Sequence, residues 1–245
     1  MNKNVIIFKE KDYESASKKA SEIFAKKVIE MPSGVFGFAT GQTPVGMYKE
    51  LVRLSNEKKI DMTKITAFNL DEYFPISADN PQSYAYFMAT NLFDAVKLPK
   101  EKRFIPNGEA KEPISECKFY EDKINQSGGI GLQVLGIGNN GHIGFNEPSQ
   151  EFSNETNYVR LADDTITANS RFFNSIDEVP KHAITMGIYT IMMAKEILLI
   201  ATGPSKAKIL KEALLGPITP TVPASVLQLH HNVSVVTDLE ASKYL

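Results

Sequence analysis

The chain has 245 residues, of which 42% are hydrophobic and 23% charged, a composition that excludes disorder and is long enough to bury a full core. Its 27 Lys and Arg against 29 Asp and Glu leave a formal net charge of -2, so no global field recruits nucleic acid or a membrane surface. The lone cysteine, Cys117, excludes an intrachain disulfide framework and a thiolate zinc cluster, and no apolar run approaches a signal-peptide core or a membrane span, so the expected location is cytoplasmic.

In chain order, short apolar runs alternate with longer segments of helical period. A strand is predicted at Val5 to Phe8, a helix at Tyr13 to Ile29, a strand at Val35 to Ala39, a helix at Pro44 to Glu57 and a strand at Ile65 to Leu70. Helices follow at Gln82 to Leu92 and Ile114 to Asn125, then strands at Leu132 to Ile137, Ala183 to Ile188 and Ile197 to Ala201, a helix at Ser205 to Leu214 and a strand at Val233 to Val236. That order predicts a three-layer α/β/α, Rossmann-like domain, with a mostly parallel sheet covered by helices on both faces. No repeat or Gly/Ser linker divides the chain, so one domain is expected over residues 1–245, with the polar stretch at about 151–181 as an excursion suited to a lid.

The predicted strand ends carry the chemistry. The first, Ala39-Thr40-Gly41-Gln42-Thr43-Pro44, turns from strand to helix, with Thr43 placed to cap and Pro44 at the first helical position. A helix begun this way offers backbone N–H groups and a positive dipole end to an anion, and the lack of a G-x-G-x-x-G or Gly-Lys-Thr pattern favours a small phosphorylated metabolite over a nucleotide. Read alone, the turn is equally an ordinary capped connection. The second, Asn69-Leu70-Asp71-Glu72-Tyr73, sets adjacent acids at a strand end, where ligands of open α/β sheets sit. Only one of the two need face the crevice, and Asp71 suits proton transfer at carbon if burial fixes its basicity; acids here also serve as turn formers and caps.

The third strand end is Gly136-Ile137-Gly138-Asn139-Asn140-Gly141-His142-Ile143-Gly144-Phe145-Asn146-Glu147. Its histidine has no companion at metal-ligand spacing, so acid/base work oriented by Glu147 or Asn140 fits better than metal binding. The bland alternative is that His142 and Asn146 satisfy turn backbone. Four glycines in this run imply close approach of backbone to something. Farther on, Arg171 stands among aromatics and Lys206 follows the turn Ala201-Thr202-Gly203-Pro204, where an anion would relieve a lysine placed beside a helix N-terminus. Solvent screening would do the same.

Together these segments, with Gln82-Ser83-Tyr84, Asn169 to Phe173 and Pro223-Ala224-Ser225, resemble the glucosamine-6-phosphate deaminase family over nearly the whole chain. The resemblance implies conversion of D-glucosamine 6-phosphate and water to D-fructose 6-phosphate and ammonia, without metal, nicotinamide or flavin. It implies that His142 opens the sugar ring, held by Glu147 and Asn140, and that Asp71 moves a proton from C2 to C1. It places the phosphate on Thr40, Gly41, Gln42 and Thr43 with Arg171 and Lys206. The expected partner is a phosphorylated amino sugar, with no nucleic acid or membrane, and the expected state is a monomer or small homo-oligomer.

Two departures stand out. Asn140 occupies a place where many members carry aspartate, and so can orient but supplies no charge. Asn157 and Val159 replace the basic patch of the larger allosteric members, so this is expected to be the small non-allosteric type. Galactosamine-6-phosphate deaminase is the nearest alternative, followed by a 6-phosphogluconolactonase or a silent sugar-phosphate sensor.

Overall fold

The computed structural model describes residues 4–173 and 175–245, without the side chains of residues 164, 168, 169 and 172. From the N-terminus it runs β1 (Val5–Glu10), α1 (Tyr13–Glu30), β2 (Val35–Phe38), α2 (Val45–Asn56), β3 (Thr66–Asn69) and β4 (Asp71–Phe74). Next come α3 (Tyr84–Met88), passing into a π turn at Ala89–Phe93, then β5 (Arg103–Phe104), α4 (Pro113–Gln126) and β6 (Leu132–Leu135). The remainder is β7 (Asn157–Arg160), α5 (Asp163–Asn169), β8 (His182–Thr185), α6 (Ile188–Met192), β9 (Glu196–Ala201), α7 (Ala207–Leu215) and β10 (Val233–Asp238).

Seven strands form a parallel sheet in the order β1-β10-β9-β6-β2-β3-β5. Every residue of β3 and β6 is buried, the polar Thr66, Asn69 and Gln133 included, because both faces of the sheet are covered. On one face α1 seats Phe24 against Phe36 and Phe38, with ring centroids 5.0 and 5.4 Å away. The helix starts where Asp12 accepts the Ser15 N–H at 2.8 Å, and Ala16, Ala20, Phe24 and Val28, four residues apart, form its buried stripe. On the other face Tyr120 of α4 meets the edge of Phe68, which also stacks on Phe104 at 4.8 Å. Gly37 lies in the same row as Phe68; a Cβ there would fall 1.8 Å from Gln133 Oε1, so glycine makes room for a buried amide. The expected three-layer α/β/α architecture is what the chain adopts.

The run at Ala183 to Ile188 is not a strand of this sheet. Only His182–Thr185 is strand, and it is the centre of a separate antiparallel sheet, β4-β8-β7, while Ile188 opens α6. Leu70 is the joint between the two sheets. Its N–H still donates to Phe38 of β2, and its carbonyl accepts from Met186, so the strand expected to end at Leu70 changes partners and continues as β4. Asp71 thereby pairs with Thr185 at the junction.

The 151–181 excursion contains β7, α5 and short 3-10 turns at Ser170–Phe172 and Ile176–Glu178. Ile166 and Phe173 pack against a second apolar cluster of Tyr73, Ile76, Phe145, Leu161 and Ala183, apart from the main core. Among the described residues, no helix is long and apolar enough to cross a membrane.

Candidate active site

The C-terminal ends of β2, β3 and β6 open onto a cavity of about 350 Å³. Thr40, Gly41 and Thr43 line it from β2, Asp71 from the β3–β4 joint, Gly138, Asn139 and His142 from the turn after β6, and Arg171 and Lys206 from later segments. A larger hollow of about 550 Å³ lies beside the segments entering β2 and β3, lined by residues such as Lys58, Lys59 and Lys97, and brings no acid/base constellation together.

Asp71 is 5% exposed. Burial, reinforced by the adjacent Glu72 charge, pushes its carboxyl up to about 8. The period of two turns Glu72 away from the cavity, as only one of the acids was expected to enter. Glu72 accepts backbone N–H bonds from Tyr73 at 2.9 Å, Tyr84 at 2.9 Å and Ala85 at 2.8 Å, so it caps the start of α3. Burial raises it to about 7 against the pull of those donors. By gripping the start of α3, Glu72 also places Tyr84, which lines the cavity and stacks on Phe145 with rings 7° from parallel.

His142 stands on bare backbone. A Cβ on Gly138 would lie 2.3 Å from its Cε1, so that glycine admits the imidazole rather than substrate. Gly144, at φ +58, is likewise closed in by Thr185 and Asn146, whereas Gly136 faces open space in the cavity wall. The ring's Nδ1 lies 3.3 Å from Glu147 Oε2 without forming a hydrogen bond to it. Glu147 also accepts Asn140 Nδ2 on Oε2 and Thr165 Oγ1 on Oε1, each at 2.6 Å. Burial disfavours its charge, but His142, Thr165 and Asn140 outweigh that and hold the carboxyl down at about 2.

Several expectations need correction. Asn140 does not hold the imidazole by a hydrogen bond: its Oδ1 accepts the His142 backbone N–H at 3.2 Å and its amide braces Glu147. Asn146 follows the bland reading, donating to the Ile143 and Met186 carbonyls at 2.8 and 2.9 Å. Thr43 does not cap α2. Pro44 occupies the N-cap without a side-chain bond, and the Gly46 N–H is satisfied instead by the Tyr13 hydroxyl at 2.8 Å, which donates to the Gln42 carbonyl. Gln42 is exposed and outside the cavity lining.

Lys206 closes the 3-10 turn Pro204–Lys206 ahead of α7 and donates to Asn139 Oδ1 at 2.7 Å. Burial lowers its pKa, as expected for a cation whose nearest partner is a neutral amide. Arg171 is exposed on its segment but reaches the cavity wall; the side chains at 169 and 172 lie outside the described residues. Sequence reasoning assigned no role to Asn139, Tyr84, Thr165 or Thr185. Tyr84 was visible as part of a resemblance motif, but an isolated hydroxyl such as Thr165 gives no periodic signal. Among the described residues, no group of three or more His, Cys, Asp or Glu is placed to hold a metal ion.

The cavity therefore has a cationic end and the Asp71 carboxylate in its wall, and its His142 is backed by a second carboxylate, Glu147, whose proton affinity is pushed the other way. One is held ionised beside a histidine and the other made basic by burial, the division of labour that separates acid/base roles in one site.

Residues 11–236 match the Glucosamine-6-phosphate isomerases/6-phosphogluconolactonase family. The chain is 50% identical over 234 residues to a glucosamine-6-phosphate deaminase of Thermoanaerobacter sp. (strain X514), covering 96% of this chain and 92% of that protein. It is 50% identical over 235 residues to the deaminase of Clostridium perfringens (strain SM101 / Type A), covering 96% and 97%. Among solved structures it is similar to a monomeric glucosamine-6-phosphate deaminase, with a TM-score of 0.95 and 43% identity over 98% of this chain and 100% of that one. A 6-phosphogluconolactonase from Thermotoga maritima superposes with a TM-score of 0.74 at 18% identity over 96% and 99% of the two chains, a likeness of fold alone.

Proposed function

The chain belongs to the Glucosamine-6-phosphate isomerases/6-phosphogluconolactonase family, and we propose that it converts D-glucosamine 6-phosphate and water into D-fructose 6-phosphate and ammonia. The observation that carries this reading is one cavity lined by both Asp71, raised to about 8, and His142, whose neighbour Glu147 is lowered to about 2. A lactone hydrolysis needs no base for a carbon-bound proton; an aldose-to-ketose conversion does.

The substrate phosphate sits against the Thr40 to Thr43 turn, where Arg171 and Lys206 supply charge and the backbone supplies donors. His142 moves the proton between the C1 hydroxyl and the ring oxygen as the pyranose opens, while Glu147 and Asn140 fix the geometry of that pair. Asp71 then takes the C2 proton, leaving an enolamine, and returns it to C1 to give a C2 imine. Water adds to C2 and ammonia departs, which leaves the ketose. Burial makes Asp71 basic enough to act on carbon, and the substrate ammonium beside it favours the ionised form.

We also read the protein as a monomer without a phosphosugar activator. The similar deaminase structure is monomeric, and the groove lined by Ser149, Glu151, Asn157, Val159 and Arg160 has that arginine as its cation, paired with Asp163 at 3.0 Å. The 151–181 segment acts as the lid, carrying Arg171 to the phosphate.

The test is ammonia and ketose phosphate production from glucosamine 6-phosphate and galactosamine 6-phosphate, with Asp71→Asn in parallel. We expect turnover of the gluco epimer and a loss of about 10²- to 10⁴-fold in the variant. Ammonia release undiminished in Asp71→Asn removes Asp71 from the mechanism; preference for the galacto epimer transfers the assignment to that sugar, and inactivity on both overturns it.

A further inference from the structure

We propose that Thr165 is a positioning residue for ring opening, tying the seat of the 151–181 segment to the His142–Glu147 pair. The inference rests on the deaminase reading and deepens it. The terminal torsion of a glutamate is broad, so nothing intrinsic to Glu147 fixes the plane of its carboxylate. Two donors do: Asn140 Nδ2 on the oxygen that faces His142, and Thr165 Oγ1 on the other, each at 2.6 Å. Asn140 comes from the same turn as His142, and its other atom is occupied by the His142 backbone, so it travels with the turn. Thr165 comes from α5, eighteen residues beyond Glu147, and is the donor that belongs to a different element.

The segment carrying Thr165 is seated by contacts that have nothing to do with Glu147. Ile166, its neighbour, packs with Tyr73, Phe145 and Leu161, and five residues farther on Arg171 reaches the cationic end of the cavity. One short stretch therefore contacts the ring-opening carboxylate at one end and the phosphate end of the cavity at the other. Seated as it is, the segment holds the hydroxyl on Glu147 and completes the geometry that sets Oε2 beside the imidazole.

Three proteins test it: wild type, Thr165→Val and Thr165→Ser, with Thr165→Ala replacing the valine variant should circular dichroism show the latter unfolded. Each is assayed for kcat and KM on glucosamine 6-phosphate and titrated calorimetrically with 2-amino-2-deoxy-D-glucitol 6-phosphate, an open-chain analogue with no ring to open. We expect kcat to fall about 10-fold in the valine variant, the size of a lost bond to a charged group, with KM and analogue affinity within about twofold of wild type and serine restoring the rate. An unchanged kcat, an equal loss of analogue affinity, or failure of serine to rescue overturns the inference while leaving the deaminase reading intact. A wild type that releases no ammonia overturns both.

Discussion

Replacing Gly138 with alanine gives a direct test of how the histidine is seated. The added Cβ would lie 2.3 Å from His142 Cε1 and 2.4 Å from both Nδ1 and Nε2. Carbon contacts are comfortable only at about 3.5 Å or more, so the ring must retreat by roughly 1 Å. Its Nδ1 is 3.3 Å from Glu147 Oε2, so a shift of that size resets the pairing with the carboxylate. A displacement of about 1 Å in a reacting group costs on the order of 10²-fold, which is the expected loss in kcat/KM for glucosamine 6-phosphate. Stability should hardly change, because Gly138 is not in the left-handed region and what yields is the free end of a side chain. Roughly 0.5 kcal/mol or less is expected from urea unfolding. Gly136→Ala is the matched control: a Cβ there meets nothing within 4 Å but faces the cavity, so it should raise KM and leave the seat of His142 alone. The reasoning is refuted by a folded Gly138→Ala enzyme with wild-type kcat/KM, or by a loss that urea unfolding accounts for entirely.

With Asp71 raised to about 8, its base form appears as pH rises, so kcat/KM, corrected for the substrate ammonium, should climb about tenfold between roughly pH 7 and 9. Glu72→Gln removes the neighbouring charge that helps raise Asp71 and should move the midpoint to lower pH; a midpoint that stays or rises would falsify the attribution. Asn140→Asp sets a second carboxylate against Glu147, where an amide now donates at 2.6 Å, and should keep activity within about tenfold while moving the acidic limb of the kcat profile upward; a folded, inactive variant contradicts the bracing role. Initial rates against substrate should be hyperbolic and unaffected by N-acetylglucosamine 6-phosphate, and a sigmoidal curve abolished by that compound would show a regulatory site that the Asn157 and Val159 groove does not suggest.

What could be read from the linear chain was whatever depends on near neighbours. A buried parallel strand such as β9 announces itself as an unbroken apolar run from Ile197 to Ala201, α1 by its helical period, and the turn after β6 by its glycines, although only the structure shows that Gly138 leaves room for a histidine. The lining of the cavity by Thr40, Asp71, His142, Arg171 and Lys206 followed from strand ends converging on one edge of a parallel sheet, together with the family resemblance. Tertiary structure decided matters of partnership. Leu70 passes the chain from one sheet to another, Tyr13 supplies the acceptor that Thr43 was expected to provide, and Thr165 crosses from a distant helix to Glu147. A hydroxyl or amide carries no period, so its partner is set by packing between segments far apart in sequence. The same holds for proton affinity: Asp71 and Glu147 are both carboxylic acids in the sequence, and only the burial of one and the two donors and histidine around the other make them a base and a fixed anion.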